Sequence, residues 1–304
     1  MIFITGAKGF IGSNLLNTLT TLGYATMGIE KDTKYFFLQY LHSEKYLKDN
    51  WKFPVVVHLG ACTDTLETSI EPFKEDYLYS MNLWQACVER KIKFIYASSA
   101  AVYGHGEKGV DETKSPSEYS PLNEYGLYKR FFDAYAEESA TNPPSWAGLR
   151  FFNVYGPGEA HKGKMASMAY KLYYEIKNTG CATLFASNYP GIPNGCQRRD
   201  FIYVHDVLRV IIHFMEMQEH FNGIYNVGTG DSRSFLALTD AIFRHFNTAP
   251  KAKFIDMPEN VKNKYQNETE ADITRLKEVG YEEPFLTLEQ GVEEYCKYLD
   301  GLPA

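Results

Sequence analysis

Short runs of consecutive apolar residues alternate with longer stretches of helical period along the first half of the chain. Ile2-Phe3-Ile4-Thr5, Tyr24 to Ile29, Val55 to Leu59, Phe94 to Ala97 and Leu149 to Phe152 read as strands. Ile11 to Leu22 carries apolar residues at helical spacing and stops at Gly23, and helical patterns separate the later strands. Strands that are apolar on both faces and divided by helices predict a parallel sheet covered on both sides, a Rossmann-type doubly wound α/β fold. Ser120-Pro121 has the form of an N-cap followed by proline at the first helical position. A helix is therefore predicted from there to about Ala140, ended by Asn142-Pro143-Pro144.

Beyond Gly156-Pro157 the rhythm loosens. A basic loop, a helix from about Met165 to Lys177 and a loop rich in Gly, Pro and Asn from Asn188 to Gln197 come first. Strands at Phe201 to Val204, Ile224 to Val227 and Lys253 to Ile255 are interleaved with helices near 205–217, 234–246 and 287–299. This predicts a Rossmann domain over residues 1–155, a smaller α/β substrate domain over 156–304, and a segment near 199–230 that returns to the first sheet.

The 31 basic and 38 acidic residues leave a net charge of −7, which gives no general attraction to nucleic acid. No window approaches the ~18 apolar residues of a membrane span, and a first strand at Ile2 leaves no room for a signal peptide, so a cytoplasmic protein is expected. The 5 cysteines, at 62, 87, 181, 196 and 296, contain no Cys-x-x-Cys pair and predict free thiols with no metal site. The 23 Tyr and 20 Phe read as core and boundary packing.

Gly6, Gly9 and Gly12 fall between the first strand and the first helix, where a backbone must turn tightly and approach a pyrophosphate at a helix N-terminus. Glu30, at the end of the second strand, is placed for an adenosine ribose hydroxyl and favours NAD, whereas Lys31 and Lys34 just beyond suit a 2′-phosphate and NADP. Tyr125 and Lys129 share one helix face, so the ammonium can stabilise the phenolate of a proton-abstracting tyrosine. Tyr173 and Lys177 repeat that spacing. Only Tyr125 follows the fourth strand and the turn Ala97 to Gly104, which can bring Ser99 to the sheet's C-terminal edge, so Tyr173 is read as structural.

The glycine turn, Ser98-Ser99, Tyr103-Gly104, Tyr125-x-x-x-Lys129 and Arg150 to Pro157, in that order, resemble the extended short-chain dehydrogenase/reductase family over the whole length. Its members bind NAD or NADP in the Rossmann domain and a nucleotide sugar in the C-terminal one. Gly60 to Thr65, His161-Lys162-Gly163-Lys164-Met165-Ala166-Ser167, Arg199 to Val204, Asn226 to Gly230, and Lys264-Tyr265-Gln266 before Ala271-Asp272 resemble one epimerase branch of it. The resemblance implies that Phe10, Ile11, Glu30, Lys31, Lys34, Leu59, Gly60, Ala61, Cys62 and Thr63 contact NADP, with Val154 near the nicotinamide. It implies that Tyr125 is one acid/base and Lys162 the other, both bordering the cofactor with Lys129. Ser99, Asn153, Lys164, Lys171, Leu184, Phe185, Ala186, Ser187, Arg199 and Tyr265 would line the nucleotide-sugar pocket.

The sequence departs from the pattern at Lys164, where Ser is usual, at Lys171, where His is usual, and at Asp76, where a cofactor-binding Asn is common. Residues 188–196 resemble an insertion. NADP is expected ahead of NAD, with a small-molecule nucleotide sugar as substrate and a homo-oligomeric assembly. Ala100-Ala101 after Ser99 speaks against a 4,6-dehydratase, which carries an Asp-Glu pair there. A UDP-hexose 4-epimerase and a catalytically silent dinucleotide sensor are the competing readings.

Overall fold

The computed structural model describes residues 1–302 except Leu66, Thr68, Glu107, Lys108, Asn263 and Lys264, with the backbone alone for Asn260. Lys264 of the motif Lys264-Tyr265-Gln266 thus lies outside the described residues. In chain order the elements are β1 (Ile2–Thr5), α1 (Phe10–Thr21), β2 (Thr26–Ile29), α2 (Lys34–His42), α3 (Glu44–Asp49), β3 (Val55–His58), α4 (Glu71–Arg90), β4 (Lys93–Ser99), α5 (Glu124–Glu138), β5 (Trp146–Phe151) and β6 (Asn153–Tyr155). There follow α6 (Met168–Thr179), β7 (Ala182–Phe185), β8 (Arg198–Tyr203), α7 (Val204–Glu216), β9 (Asn222–Val227), β10 (Ser232–Ser234), α8 (Phe235–His245), β11 (Ala252–Ile255), α9 (Glu259–Lys262), α10 (Thr274–Glu278) and α11 (Leu288–Asp300).

Two compact units share the chain. The first comprises Met1–Val102, Glu112–Arg150 and Leu208–Tyr225, and the second Tyr103–Asp111, Phe151–Val207 and Asn226–Ala304. The return to the first unit is therefore Leu208–Tyr225. β8, expected to return as well, pairs with β6 and β10 instead.

The first unit carries a six-stranded sheet in the order β2-β1-β3-β4-β5-β9, with β2, β1, β3 and β4 mutually parallel. β1 and β3 are buried along their length, the condition that makes their sequences continuously apolar. Trp84 of α4 is fully buried against Phe94, Phe132, Tyr135 and Trp146, so much of the aromatic surplus is core packing. α5 opens later than its Ser-Pro signal suggested. Asn123 is the cap: its backbone is extended, with φ −151° and ψ 167°, which leaves Ser120 and Pro121 outside the helix, and its Oδ1 accepts the Gly126 N–H at 2.8 Å.

The second unit has a three-stranded sheet, β10-β8-β6, and a parallel pair, β11-β7. Its core gathers Leu172, Tyr173, Leu238, Ile242, Val292 and Tyr295 from α6, α8 and α11. Tyr173 is fully buried there, and its hydroxyl donates to Asp300 while accepting from Lys177 at 3.0 Å. The second Tyr-x-x-x-Lys pair is thus a packing latch between α6 and α11.

Beneath α5 lies a buried ion pair. Asp133 accepts from Arg150 Nε at 2.9 Å, from the Ser98 hydroxyl at 2.9 Å and from the Tyr96 hydroxyl at 3.0 Å, and neither Asp133 nor Arg150 is exposed. Removing one partner leaves an uncompensated buried charge. Arg150→Met is expected to lower the urea-unfolding free energy by about 3–5 kcal/mol; a loss under about 1 kcal/mol would show the pair to be dispensable.

Candidate active site

The glycine turn is built by backbone approaching backbone. Gly6 has φ +67°, and a Cβ there would lie 2.7 Å from the Cα of Gly60. At Gly12 a Cβ would meet the carbonyl oxygen of Gly6 at 2.0 Å. Gly9 caps α1, its N–H donating to Gly6 O at 2.9 Å. The turn, the start of α1 and residues Leu59 to Thr63 therefore form a surface of main chain with no side chain between them, which fits a pyrophosphate. Phe10 is buried and Ile11 half-buried at the helix start.

A hydrogen-bond relay holds the second loop. Gly60 N–H donates to Thr5 Oγ1 at 3.1 Å, Thr5 donates to His58 Nδ1 at 2.7 Å, and His58 Nε2–H donates to Ser80 Oγ at 2.8 Å, which donates to the Asp76 carbonyl at 2.7 Å. This order requires the neutral imidazole, and burial, seconded by Lys129 and Lys34, holds His58 down at about 3. Asp76 Oδ2 accepts the Cys62 N–H at 2.6 Å. Sequence reasoning set Asp76 aside as a departure and passed over His58, since neither carries a motif that marks it.

The cations past β2 behave differently from one another. Lys31 is exposed. Lys34, expected to offer its charge to a ligand, is buried and paired with Glu75 at 2.9 Å and Asp76 at 3.5 Å. Burial alone would lower its pKa, but the hydrogen bond to Glu75 and the two carboxylate charges raise it. Glu30 accepts the Lys8 N–H at 2.6 Å and so braces the glycine turn.

Ser99, Tyr125 and Lys129 come together in the first unit. Tyr125 is hydrogen-bonded to the Ser99 hydroxyl, and Lys129 Nζ lies 5.9 Å from the centre of the Tyr125 ring while donating to the Ala97 carbonyl at 2.7 Å. Burial pushes the Tyr125 phenol up, and the Ser99 hydrogen bond opposes it. Burial likewise lowers the Lys129 ammonium, against the charges of Asp76 and Asp133. The Ser99 hydroxyl thus meets the Tyr125 phenol while the Lys129 ammonium lies over the ring, a set of groups able to hold or move a proton at the phenol oxygen.

Lys162, Lys164 and Lys171 belong to the second unit. Lys162 stands half-buried in a 3₁₀ segment, Ala160–Met165, kinked at Gly163 with φ +52°. Burial lowers its pKa, Glu159 raises it and Lys171 lowers it further. Lys164 is exposed, and its carbonyl accepts Lys171 Nζ at 2.7 Å. Arg199 stacks over the Tyr265 ring at 4.9 Å, and Phe185 meets Tyr265 edge-on at 6.2 Å. Ser187 N–H donates to Asn194 at 2.8 Å, which folds loop 188–196 back onto the end of β7. Asn153 and Val154 pair with Phe201 and Ile202 along β6 and β8.

A structural carboxylate links two of the quoted motifs. Asp200 is fully buried and accepts from Thr229 N–H at 2.7 Å, Gly230 N–H at 2.9 Å and Ala271 N–H at 3.1 Å. A Cβ at Gly228 would lie 2.6 Å from its Oδ2, which is why the strand ends in glycine there. Among the described residues no group of three or more His, Cys, Asp or Glu is placed to hold a metal ion, and no helix is long and apolar enough to cross a membrane.

The model of the NAD dependent epimerase/dehydratase family matches residues 2–228. A Fusobacterium nucleatum subsp. nucleatum protein named ADP-L-glycero-D-manno-heptose-6-epimerase is 40% identical over 323 aligned positions, covering 98% of this chain and 97% of its own. A protein of the same name from Brachyspira hyodysenteriae is 36% identical, with 99% and 98% covered. The solved structure of Helicobacter pylori ADP-L-glycero-D-manno-heptose-6-epimerase matches with a TM-score of 0.78 at 28% identity, covering 99% of this chain and 96% of that one. A Bacillus cereus UDP-glucuronic acid 4-epimerase, in complex with UDP-glucuronic acid and NAD, shares the fold at a TM-score of 0.74.

The hydroxyl of Ser99 donates to the anionic form of Tyr125 and so favours it. In Ser99→Ala the limb of the pH–rate profile set by Tyr125 should move to higher pH, with the midpoint of urea unfolding little changed. An unmoved limb would remove Ser99 from the proton chemistry.

Proposed function

The chain belongs to the NAD dependent epimerase/dehydratase family. From that premise we propose that it inverts C6 of the heptose in ADP-D-glycero-D-manno-heptose, giving ADP-L-glycero-D-manno-heptose for the lipopolysaccharide inner core. The observation that carries this reading is Tyr125 bonded to the Ser99 hydroxyl with the Lys129 ammonium over its ring, in a chain alike over nearly its whole length to relatives bearing that name.

The chemistry a nicotinamide supplies when bound is reversible acceptance of the hydrogen on C6, so that the carbon passes through a ketone and is re-formed with the opposite hand. Tyr125 takes the hydroxyl proton in one orientation of the sugar, with the Lys129 ammonium and Ser99 hydroxyl stabilising its anion. Lys162 delivers a proton to the ketone oxygen in the other orientation. Main chain at Gly6, Gly9, Gly12 and Leu59 to Thr63 would hold the dinucleotide, with Val154 toward its ring. Arg199, stacked on Tyr265, meets the substrate's diphosphate and base beside Leu184 to Ser187, with Asn153, Lys164 and Lys171 toward the sugar.

NADP is the dinucleotide form proposed, because Lys31 is exposed at the end of β2 and the Glu30 carboxylate is partly met by Lys8 N–H. The pairing of Lys34 with Glu75 and Asp76 favours NAD as the second reading, since a 2′-phosphate must compete with two carboxylates for that ammonium. Leu78 and Phe131, exposed on α4 and α5, support self-association, and five free thiols support a reducing, cytoplasmic setting.

Incubated with ADP-D-glycero-D-manno-heptose and no added cofactor, the purified protein should give a mixture of the two C6 epimers by proton NMR without net reduced dinucleotide. Turnover of UDP-sugars alone would make it a 4-epimerase, and bound dinucleotide with no turnover a sensor. Mass spectrometry of the dinucleotide released on denaturation should find NADP; NAD would mean that the Lys34 ion pairs persist in the holoenzyme. Tyr125→Phe and Lys162→Met should each slow epimerisation by about 10²–10⁴-fold. A Lys162→Met rate within about tenfold of wild type would remove Lys162 from acid/base work.

A further inference from the structure

Glu159 is a fully buried carboxylate with no role in the mechanism above. Its Oε1 accepts the Gly156 N–H at 3.2 Å and the Ser167 hydroxyl at 2.7 Å, its Oε2 accepts the Ser167 N–H, and the Tyr295 hydroxyl donates to it from α11. The Glu159 carbonyl accepts the Lys162 N–H at 2.9 Å. One side chain therefore ties both ends of the segment Gly156 to Ser167, and the segment's middle carries Lys162.

That geometry has two consequences. The loop hangs on a carboxylate instead of on packing, since no residue of Ala160–Met165 is buried and Gly163 turns through positive φ with open space around it. The carboxylate is also the counter-charge of the ammonium groups around it. Among the charged groups that face Lys162 are Glu159 on its own segment and Lys171 on α6, while Tyr170 and Tyr295 face Glu159 itself. Burial lowers Lys162 and Lys171 alike, and in both the charge of Glu159 opposes that fall.

Resting on the reading of Lys162 as an acid/base, we propose that Glu159 is a positioning residue that fixes the Lys162 segment and keeps Lys162 in its ammonium form for proton delivery. Lys171, a lysine where the resembled branch has histidine, sets the opposing charge.

The test titrates Lys162 directly in the holoenzyme by NMR of ε-¹³C-labelled lysine, its resonance assigned by loss in Lys162→Met. Glu159→Gln should move its midpoint to lower pH and Lys171→Met to higher pH. The alkaline limb of epimerisation should follow in both directions, and kcat in Glu159→Gln should fall on the order of 10²-fold. Glu159→Asp, which keeps the charge, should restore the limb in greater measure than the rate. An unmoved Lys162 midpoint in Glu159→Gln overturns the proposal. If Glu159→Gln does not fold, an unmoved Lys162 midpoint in Lys171→Met does the same. Should Lys162→Met retain its rate while the midpoints move as expected, the acid/base reading fails and the electrostatic assignment of Glu159 stands.

Discussion

Main chain packed against main chain at Gly6, Gly12 and Gly60 is the constraint on which the dinucleotide cradle depends. A single methyl at Gly12 would sit 2.0 Å from a carbonyl oxygen, and one at Gly6 would enter the next loop. Removing side chains from this crossing lets α1 begin against the end of β1, so the helix N-terminus and two loops of peptide groups face the same space. The His58 relay then holds the position of Gly60 and the start of α4. Because it runs through a neutral imidazole, it does not change protonation across the physiological range.

Three fully buried carboxylates serve one purpose in different places. Asp133 joins α5 to β4 and β5, Asp200 gathers the ends of β8 and β9 with residue 271, and Glu159 closes the Lys162 segment. Each is surrounded by donors, the condition under which a buried charge is tolerated. Asp200 and Glu159 do this at turns, and Asp133 does it within the core, between the middle of α5 and strands β4 and β5. Two lysines lie within their reach: the charges of Asp76 and Asp133 act on Lys129, and that of Glu159 acts on Lys162. Burial disfavours the charge on each lysine, and a neighbouring carboxylate opposes that fall.

The six strands of the first sheet, the main helices and the glycine turn were legible in the sequence because they rest on local periodicity and on residue types that few other conformations require. Continuous apolar runs such as Val55 to His58 read as buried strands, and the Tyr125-x-x-x-Lys129 pair was separable from Tyr173 and Lys177 by its place after β4. The N-terminal boundary of α5 was misplaced because Ser120-Pro121 and Asn123 both offer cap chemistry, and only the folded chain selects between them. β8 was misassigned to the first sheet because strand pairing is decided by partners far away in sequence.

The sequence by itself determined the fold class, the cradle at Gly6, Gly9 and Gly12, and the family to which Tyr125, Lys129 and Ser99 belong. Only the tertiary structure decided what the charged side chains do. Lys34 reads in sequence as a cation for a ligand, but Glu75 and Asp76 meet it in the fold, and Glu159, which no motif marks, takes its place only where Gly156, Ser167 and Tyr295 close around it. The reason is physical. Backbone conformation and apolar period are local properties of the chain, whereas burial and electrostatic pairing depend on distance in space, which no local pattern records.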